Sequence, residues 1–510
     1  MLFNSFPFLF VFLPVCLIGY FGLGAFIGLR AAIMWLSVAS IFFYAYWDVR
    51  YLGLLATSMG FNYLIGICLA QKPTKALLTF GVVLNLALLG YYKYANFFVD
   101  NLNRLAGADW HLATIILPLG ISFFTFTQIA FLVDAARGLA KERSLLSYVL
   151  FVTFFPHLIA GPILHHKEMM SQFVDKRIAE LNWRNFAVGW TVFAMGLFKK
   201  VIFADQVAVY ARQVFEPGVG VVPTFFDAWI GALAYTLQLY FDFSGYSDMA
   251  VGLALMFNIR LPINFYSPYQ AKNIIVFWRR WHMTLSRYLR DYLYISLGGN
   301  RRGSLRRYLN LFLTMLLGGL WHGAGWTFVV WGALHGLYLM INHGWQSVSR
   351  QLPAAPLPSW IKSGSAQTAT FLAVVVGWVF FRASDMSAAL TILKGMAGLN
   401  GLSLPGELRA YLGQLAPLGV SFDGLVPAMV NLSTKEIVFK ISLLLAVVFM
   451  LPNVTMMLSR FESFLGVVET SRVRWFSWRP STVWGVITGV IAAIAICSLN
   501  QVSEFLYFQF

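Results

Sequence analysis

The sequence predicts an all-α polytopic membrane protein, and three observations carry that prediction. Of its 510 residues, 59% are hydrophobic and only 11% charged, whereas a soluble globular chain is nearer a quarter charged. Apolar runs of the roughly 20 residues a helix needs to cross a bilayer recur along the chain. These runs are continuous rather than alternating every second residue, which excludes a β-barrel. The same composition excludes a soluble enzyme and a disordered scaffold.

In chain order, spans are expected near 5–29, 31–46, 50–70, 76–97 and 112–135, then 186–204, 224–241, 247–258, 308–320, 324–343, 367–381, 437–452 and 483–499. The first has no basic stretch before it and no small-residue cleavage site, so it reads as a retained span rather than a signal peptide. The shorter stretch 147–164 is broken by Pro156, Gly161 and Pro162 and holds His157. It suits a re-entrant segment packed inside protein better than a lipid-facing helix. Two Pro/Gly/Ser-rich connectors, 344–366 and 384–436, set off the last three spans. The domain reading is therefore a core of residues 1–343 followed by connectors and spans over 344–510.

Lys and Arg number 37 against 21 Asp and Glu, a formal charge of +16. Nine of these cations fall in 272–307 against the single Asp291, so this stretch is expected to face the cytoplasm. No nucleic-acid-binding motif accompanies the charge, and none of its partners is expected to be a nucleic acid. Cys16, Cys68 and Cys497 lie scattered in apolar runs, which gives neither a disulfide framework nor a metal site.

Polar residues that the bilayer makes expensive are the functional candidates. The run LFLTMLLGGLWHGAGWTFVVWGALHGLYLMI holds only His322 and His335 as titratable groups, with glycines flanking His322. An imidazole there is expected to stay neutral and to serve as a general base toward a hydroxyl. An interhelical hydrogen bond explains His322 equally well. His335, 13 residues on, falls about 140° away on an unbroken helix and is assigned to packing.

The second candidate is VFWRRWHMTLSRYLRDYLYISLGGNRRG. Trp278, His282 and Ser286 fall at four-residue spacing on one helical face, and Arg287 and Asp291 form an i, i+4 pair. An interfacial helix accounts for most of these arginines. The sharper reading gives Arg279 and Arg280 the phosphates of an anionic acyl donor such as a coenzyme A thioester. His282 stands apart, because a solvated face needs no imidazole. The third candidate, Tyr240 to Met249, is expected to end one span and begin the next, with Asp242 and Tyr246 at i, i+4. Either a helix break or a carboxylate orienting an imidazole explains it. G-x-S-x-G, H-x-x-x-x-D, H-E-x-x-H and P-loop motifs are absent from the sequence.

A lone His in a Trp-His-Gly run, with another His some 40 residues upstream in an Arg/Trp-rich stretch, resembles the membrane-bound O-acyltransferases. The likeness is strongest to the branch of membrane subunits in bacterial alginate O-acetylation. It is carried by GYYKYANFF (90–98), LPLGISFFTFTQIAFLVDAARG (117–138), FFPHLIAGPI (154–163) and LYFDFSGYSDMA (239–250). FWRRWHMTLSRYLRDYLYISLGGNRRG (277–303), NLFLTMLLGGLWHGAGWTFVVWGALHG (310–336), GWVFFRA (377–383) and the closing LYFQF complete it. Little is recognisable over 384–500.

The resemblance implies a helical bundle with re-entrant and interfacial helices around a central funnel and tunnel. It implies that His322 is the catalytic histidine and His282 the second active-site histidine. Arg279, Arg280, Asp242, Ser244 and Trp321 are the substrate-binding candidates among the residues themselves. Gly325 stands where the family often has Asn, so no side-chain oxyanion donor is assigned there. No bound cofactor or metal is expected. The implied reaction carries an acetyl group from acetyl-CoA across the bacterial inner membrane to a periplasmic SGNH-type serine acetyltransferase. That partner, within an exopolysaccharide biosynthesis complex, then esterifies a polymer, alginate foremost. A Ser-linked acyl-enzyme through Ser244 or Ser286 has no feature in its favour. The alternatives are a D-alanyl transferase of teichoic-acid type and a non-enzymatic polysaccharide permease. The latter is disfavoured by the lack of a transporter-like internal repeat.

Overall fold

A computed structural model of the chain describes residues 1–113, 115–140, 144–218, 221–351, 357–422, 434–461, 464–465, 476–499 and 506. Residues 423–433 of the second connector and 507–510 of the closing LYFQF lie outside the described residues. The described architecture is helical, with one pair of two-residue parallel strands, Leu402–Ser403 and Val420–Ser421.

The first helices are α1 (Phe8–Phe26), α2 (Leu29–Ala45), α3 (Arg50–Gln71) and α4 (Lys75–Ala106). Next, α5 (Ile121–Ala136) starts later than the expected 112, because Pro118 and the left-handed Gly120 (φ 69°) precede it. The segment expected to be re-entrant is two short helices, α6 (Leu145–Thr153) and α7 (Phe155–Leu158), buried throughout most of their length. His157 is satisfied there by the Phe151 carbonyl oxygen at 2.8 Å. A further short helix, α8 (His166–Phe173), leads to α9 (Trp183–Phe215), which passes through a π turn at Lys199–Ala204.

The helix α10 (Phe225–Met256) corrects the sequence reading. Spans expected at 224–241 and 247–258 are one unbroken helix, so Tyr240 to Met249 is no helix break. The polar middle of α10 is neutralised from α9: Lys200 Nζ lies 2.6 Å from Asp242 and 2.7 Å from Asp205, and Lys199 Nζ lies 2.6 Å from Asp248. Buried carboxylates paired this way do not force the helix apart. The two helices approach glycine on glycine. A Cβ added at Gly189 would lie 2.6 Å from the Gly252 carbonyl oxygen, and one at Gly196 would lie 2.6 Å from that of Gly245. Small residues let membrane helices pack this closely.

The arginine-rich stretch is not one helix. It is divided into α11 (Ile274–Trp278) and α12 (Met283–Tyr288), followed by a π turn at Leu289–Tyr294. Trp278 and Trp281 are only 8% and 3% exposed, so they are core residues and not headgroup anchors. The expected Arg287–Asp291 pair is also replaced: Arg287 forks onto Glu168 at 2.6 and 2.9 Å, and Asp291 takes Arg290.

The remaining helices are α13 (Gly303–His322), α14 (Trp326–Ser349), α15 (Ser359–Arg382), α16 (Met386–Met396), α17 (Thr434–Met450) and α18 (Thr482–Cys497). α13 and α14 form an antiparallel hairpin in which Gly319 meets Gly332 and Gly336 meets Phe312. α15 packs on α10 and α14, α16 on α10, and α18 on α9. Five described helices are long and apolar enough to cross a membrane: α1, α3, α4, α9 and α15.

Candidate active site

α13 stops at His322 because Gly323 and Gly325 run extended (φ −160° and −164°) before α14 begins. This break invalidates the 140° separation inferred for His335, which sits on a different helix. The last carbonyls of any helix lack intrahelical donors. Here Lys93 Nζ donates to the carbonyl oxygens of Trp321 (2.6 Å) and His322 (2.9 Å), and Tyr94 Oη donates to that of Leu320 (2.6 Å). The His322 ring is buried in an aromatic cage of Trp321, Phe381 and Trp331, with ring centroids at 4.9, 5.0 and 5.1 Å. His335 lies on the far side of Trp331, at 4.9 Å from it.

His282 is placed by backbone strain. It lies between α11 and α12 at φ 41°, the left-handed region that a non-glycine residue adopts only when held there. Segment 264–266 does the holding: Met283 N donates to the Asn264 carbonyl oxygen and Tyr266 N to that of Arg280, each at 2.9 Å. The Asn264 side chain then sets the tautomer. Its Oδ1 accepts from Thr284 N (3.3 Å) and Thr284 Oγ1 (3.0 Å), which fixes it as the oxygen, and His282 Nδ1 lies 3.1 Å from it. Only an N–H can meet that oxygen, so Nδ1 carries the proton and Nε2 presents a lone pair. The His282 and His322 ring centroids are 6.5 Å apart.

Two cavities lie on either side of this pair. One, of about 110 Å³, is lined by Lys93, Trp321, His322, Trp47 and the 117–123 segment. The other, of about 520 Å³, is lined by Arg279, Arg287, Arg290, His343, Trp278, Met283 and Thr284 among others. The second reaches α13 at Leu311 and the first at His322, about 16 Å apart along the helix axis. His282 is adjacent in sequence to Met283 on the cationic side, and His322 itself lines the smaller cavity.

The other sequence candidates separate. Trp321 lines the small cavity, and Arg279 lines the large one. Arg280 does not: its guanidinium stacks on Tyr266 at 5.6 Å. Asp242 is paired with Lys200, and neither it nor Ser244 lines either cavity. The carboxylate expected to orient an imidazole is thus replaced by the amide of Asn264. Ser286 lines the large cavity, with its hydroxyl donating to the Trp281 carbonyl oxygen at 3.4 Å. Among the described residues no cluster of three or more His, Cys, Asp or Glu is disposed to hold a metal. Sequence reasoning missed Lys93 and Asn264. Lys93 carried a readable signal, as a cation inside an expected span. Asn264 carried none, because its meaning depends on a strained turn 18 residues away.

Fold and site define a multi-pass membrane protein with a buried two-histidine centre near two cavities, a small one that Lys93 lines and a larger one lined by arginines. The sequence model of MBOAT, the membrane-bound O-acyltransferase family, matches residues 18–371. The chain is 46% identical to the peptidoglycan O-acetyltransferase of Helicobacter pylori, covering 79% of this chain and 81% of that one. It is 45% identical to the probable alginate O-acetylase of Pseudomonas putida, over 83% and 86%. Similarity to the teichoic acid D-alanyltransferase of Streptococcus thermophilus is lower, 29% over 44% and 57%. The chain belongs to the membrane-bound O-acyltransferase family and is an acyltransferase.

Proposed function

We propose that this acyltransferase moves an acetyl group across the bacterial inner membrane for O-acetylation of an exopolysaccharide, alginate foremost. The observation that carries the reading is the His282–His322 pair, 6.5 Å apart, between a cationic cavity and a smaller one. Acetyl-CoA is the proposed donor. Its phosphates suit the arginine-lined cavity, where Arg279 supplies a guanidinium group while Arg287 and Arg290 are paired with Glu168 and Asp291. The concentration of cations in 272–307 supports assigning that cavity to the cytoplasm.

In the proposed step, His322 takes the proton of an acceptor hydroxyl as its oxygen bonds to the thioester carbonyl carbon. The C–S bond breaks, and the proton passes from His322 to the thiolate sulfur. His282, its Nδ1–H committed to Asn264, holds the donor by accepting a hydrogen bond at Nε2. Trp321 walls the acceptor side. The acetyl group then goes to a periplasmic SGNH-type serine acetyltransferase, which esterifies the polymer within an exopolysaccharide biosynthesis complex.

Peptidoglycan is the second reading for the polymer, favoured by the name of the Helicobacter relative. D-alanyl transfer is disfavoured by the shorter and weaker likeness to the teichoic acid enzymes. The test is a His322→Ala strain. Polymer acetylation is expected to fall by roughly 10²–10⁴-fold, the usual worth of a positioned general base, with membrane insertion unchanged. Parent-level acetylation in that strain would return His322 to a packing role.

A further inference from the structure

Resting on the reading of His322 as general base, we infer that Lys93 is a positioning residue that fixes His322 through its backbone. A catalytic imidazole is ordinarily aimed by a hydrogen bond to its second nitrogen. Among the described residues no side chain hydrogen-bonds the His322 ring, whose neighbours are aromatic faces and edges. Such apolar contacts are non-directional beside a hydrogen bond. The axial position of His322 therefore has to come from the end of α13.

That end is gripped by α4. Lys93 bridges the carbonyl oxygens of Trp321 and His322, Tyr94 takes that of Leu320, and Asn101 Oδ1 accepts from Trp326 Nε1 at 2.9 Å across the break. Phe97 packs on Trp326, ring centroids 6.0 Å apart. Lys93, Phe97 and Asn101 stand at i, i+4 and i+8, one face of α4. This face thus holds both sides of the 323–325 segment.

A cation suits the position, since the C-terminal end of a helix carries partial negative charge. One ammonium also spans two carbonyl oxygens and keeps a third N–H. Lys93 lines the small cavity beside His322, so that N–H is available to the acceptor side. A charged side chain inside a membrane protein is expensive and calls for a task beyond filling space.

The test uses purified full-length protein in lipid nanodiscs, with acetyl-CoA as donor and glycerol as a hydroxyl acceptor. Lys93→Met is expected to lose roughly 10–100-fold in kcat, as small displacements of a reacting group do. Its KM for acetyl-CoA should stay within about twofold, because the donor cavity is untouched. Lys93→Arg keeps the charge and the donors and should recover part of the loss. Should Lys93→Met fail to yield monodisperse protein, Tyr94→Phe removes only the grip on Leu320 and should show a smaller kcat loss. Folded Lys93→Met with the parent kcat, a loss carried by donor KM, or Tyr94→Phe at the parent rate in that fallback would each overturn the inference. A His322→Ala control at the parent rate would instead overturn the general-base reading, and with it this one.

Discussion

Two neighbouring arginines that look equivalent in sequence meet different surroundings. Arg279 lines the large cavity, whereas Arg280 is spent on the Tyr266 ring. A phosphate held by a planar guanidinium fork loses a hydrogen bond when Lys replaces Arg. Arg279→Lys should therefore raise the KM for acetyl-CoA on the order of tenfold, a loss of about 1.4 kcal/mol for one charge-assisted bond. Arg280→Lys should leave it within about twofold. Steady-state kinetics with varied acetyl-CoA checks both, and the reverse ranking would take Arg279 out of the donor site. His322, His282 and Arg279 stand out as candidates in the sequence, because a bilayer makes polar side chains conspicuous. Lys93 and Lys200 are equally conspicuous by that criterion among their apolar neighbours. The tautomer of His282 was not legible, since it follows from Asn264 and Thr284 meeting around a left-handed residue.

Among the helices, the decisive contacts are made by residues that carry no side chain. α9 and α10 cross where Gly189 and Gly196 face Gly252 and Gly245, so the Lys199 and Lys200 side chains reach the carboxylates of α10 without long detours. A Cβ at Gly245 would meet the Gly196 carbonyl oxygen at 2.7 Å and Lys200 N at 3.1 Å. Gly245→Leu is therefore expected to cost more than the roughly 1–3 kcal/mol of ordinary overpacking, because backbone has to move. Its monodisperse yield in detergent should collapse. Gly60→Leu, at a helical glycine with nothing within 4 Å, should match the parent. Equal yields from both would contradict the close crossing. Hydropathy made most of the apolar runs legible, since length and composition are local properties. It failed at Tyr240 to Met249, where two carboxylates read as a break until α9 supplied their lysines. It failed again at 276–303, where four-residue spacing read as one helix and the chain instead turns sharply at His282.

At the scale of the molecule, the antiparallel α13–α14 hairpin puts residues 303 and 349 at one end and the 323–325 break at the other. α15 runs back from the first end, so that Phe381 meets His322 and Gly377 meets His335. The cationic cavity is lined by Leu311 and His343, nearer the 303/349 end of the hairpin, and the Lys93 cavity by Trp321 and His322, at the break. In the proposed reaction, direct transfer of the acyl group from thioester to acceptor hydroxyl beside the two histidines would let it change sides without any passage for the whole donor. Proteoliposomes distinguish this proposed two-sided transfer from a reaction confined to one side. Labelled acetyl-CoA is trapped inside, and the periplasmic SGNH-type serine acetyltransferase with a membrane-impermeant alginate oligosaccharide is supplied outside. Acetyl ester should form on the external oligosaccharide with the parent protein and fall by roughly 10²–10⁴-fold with His322→Ala. Ester formed only when donor and acceptor share one compartment, or formed equally well by His322→Ala, would contradict the account.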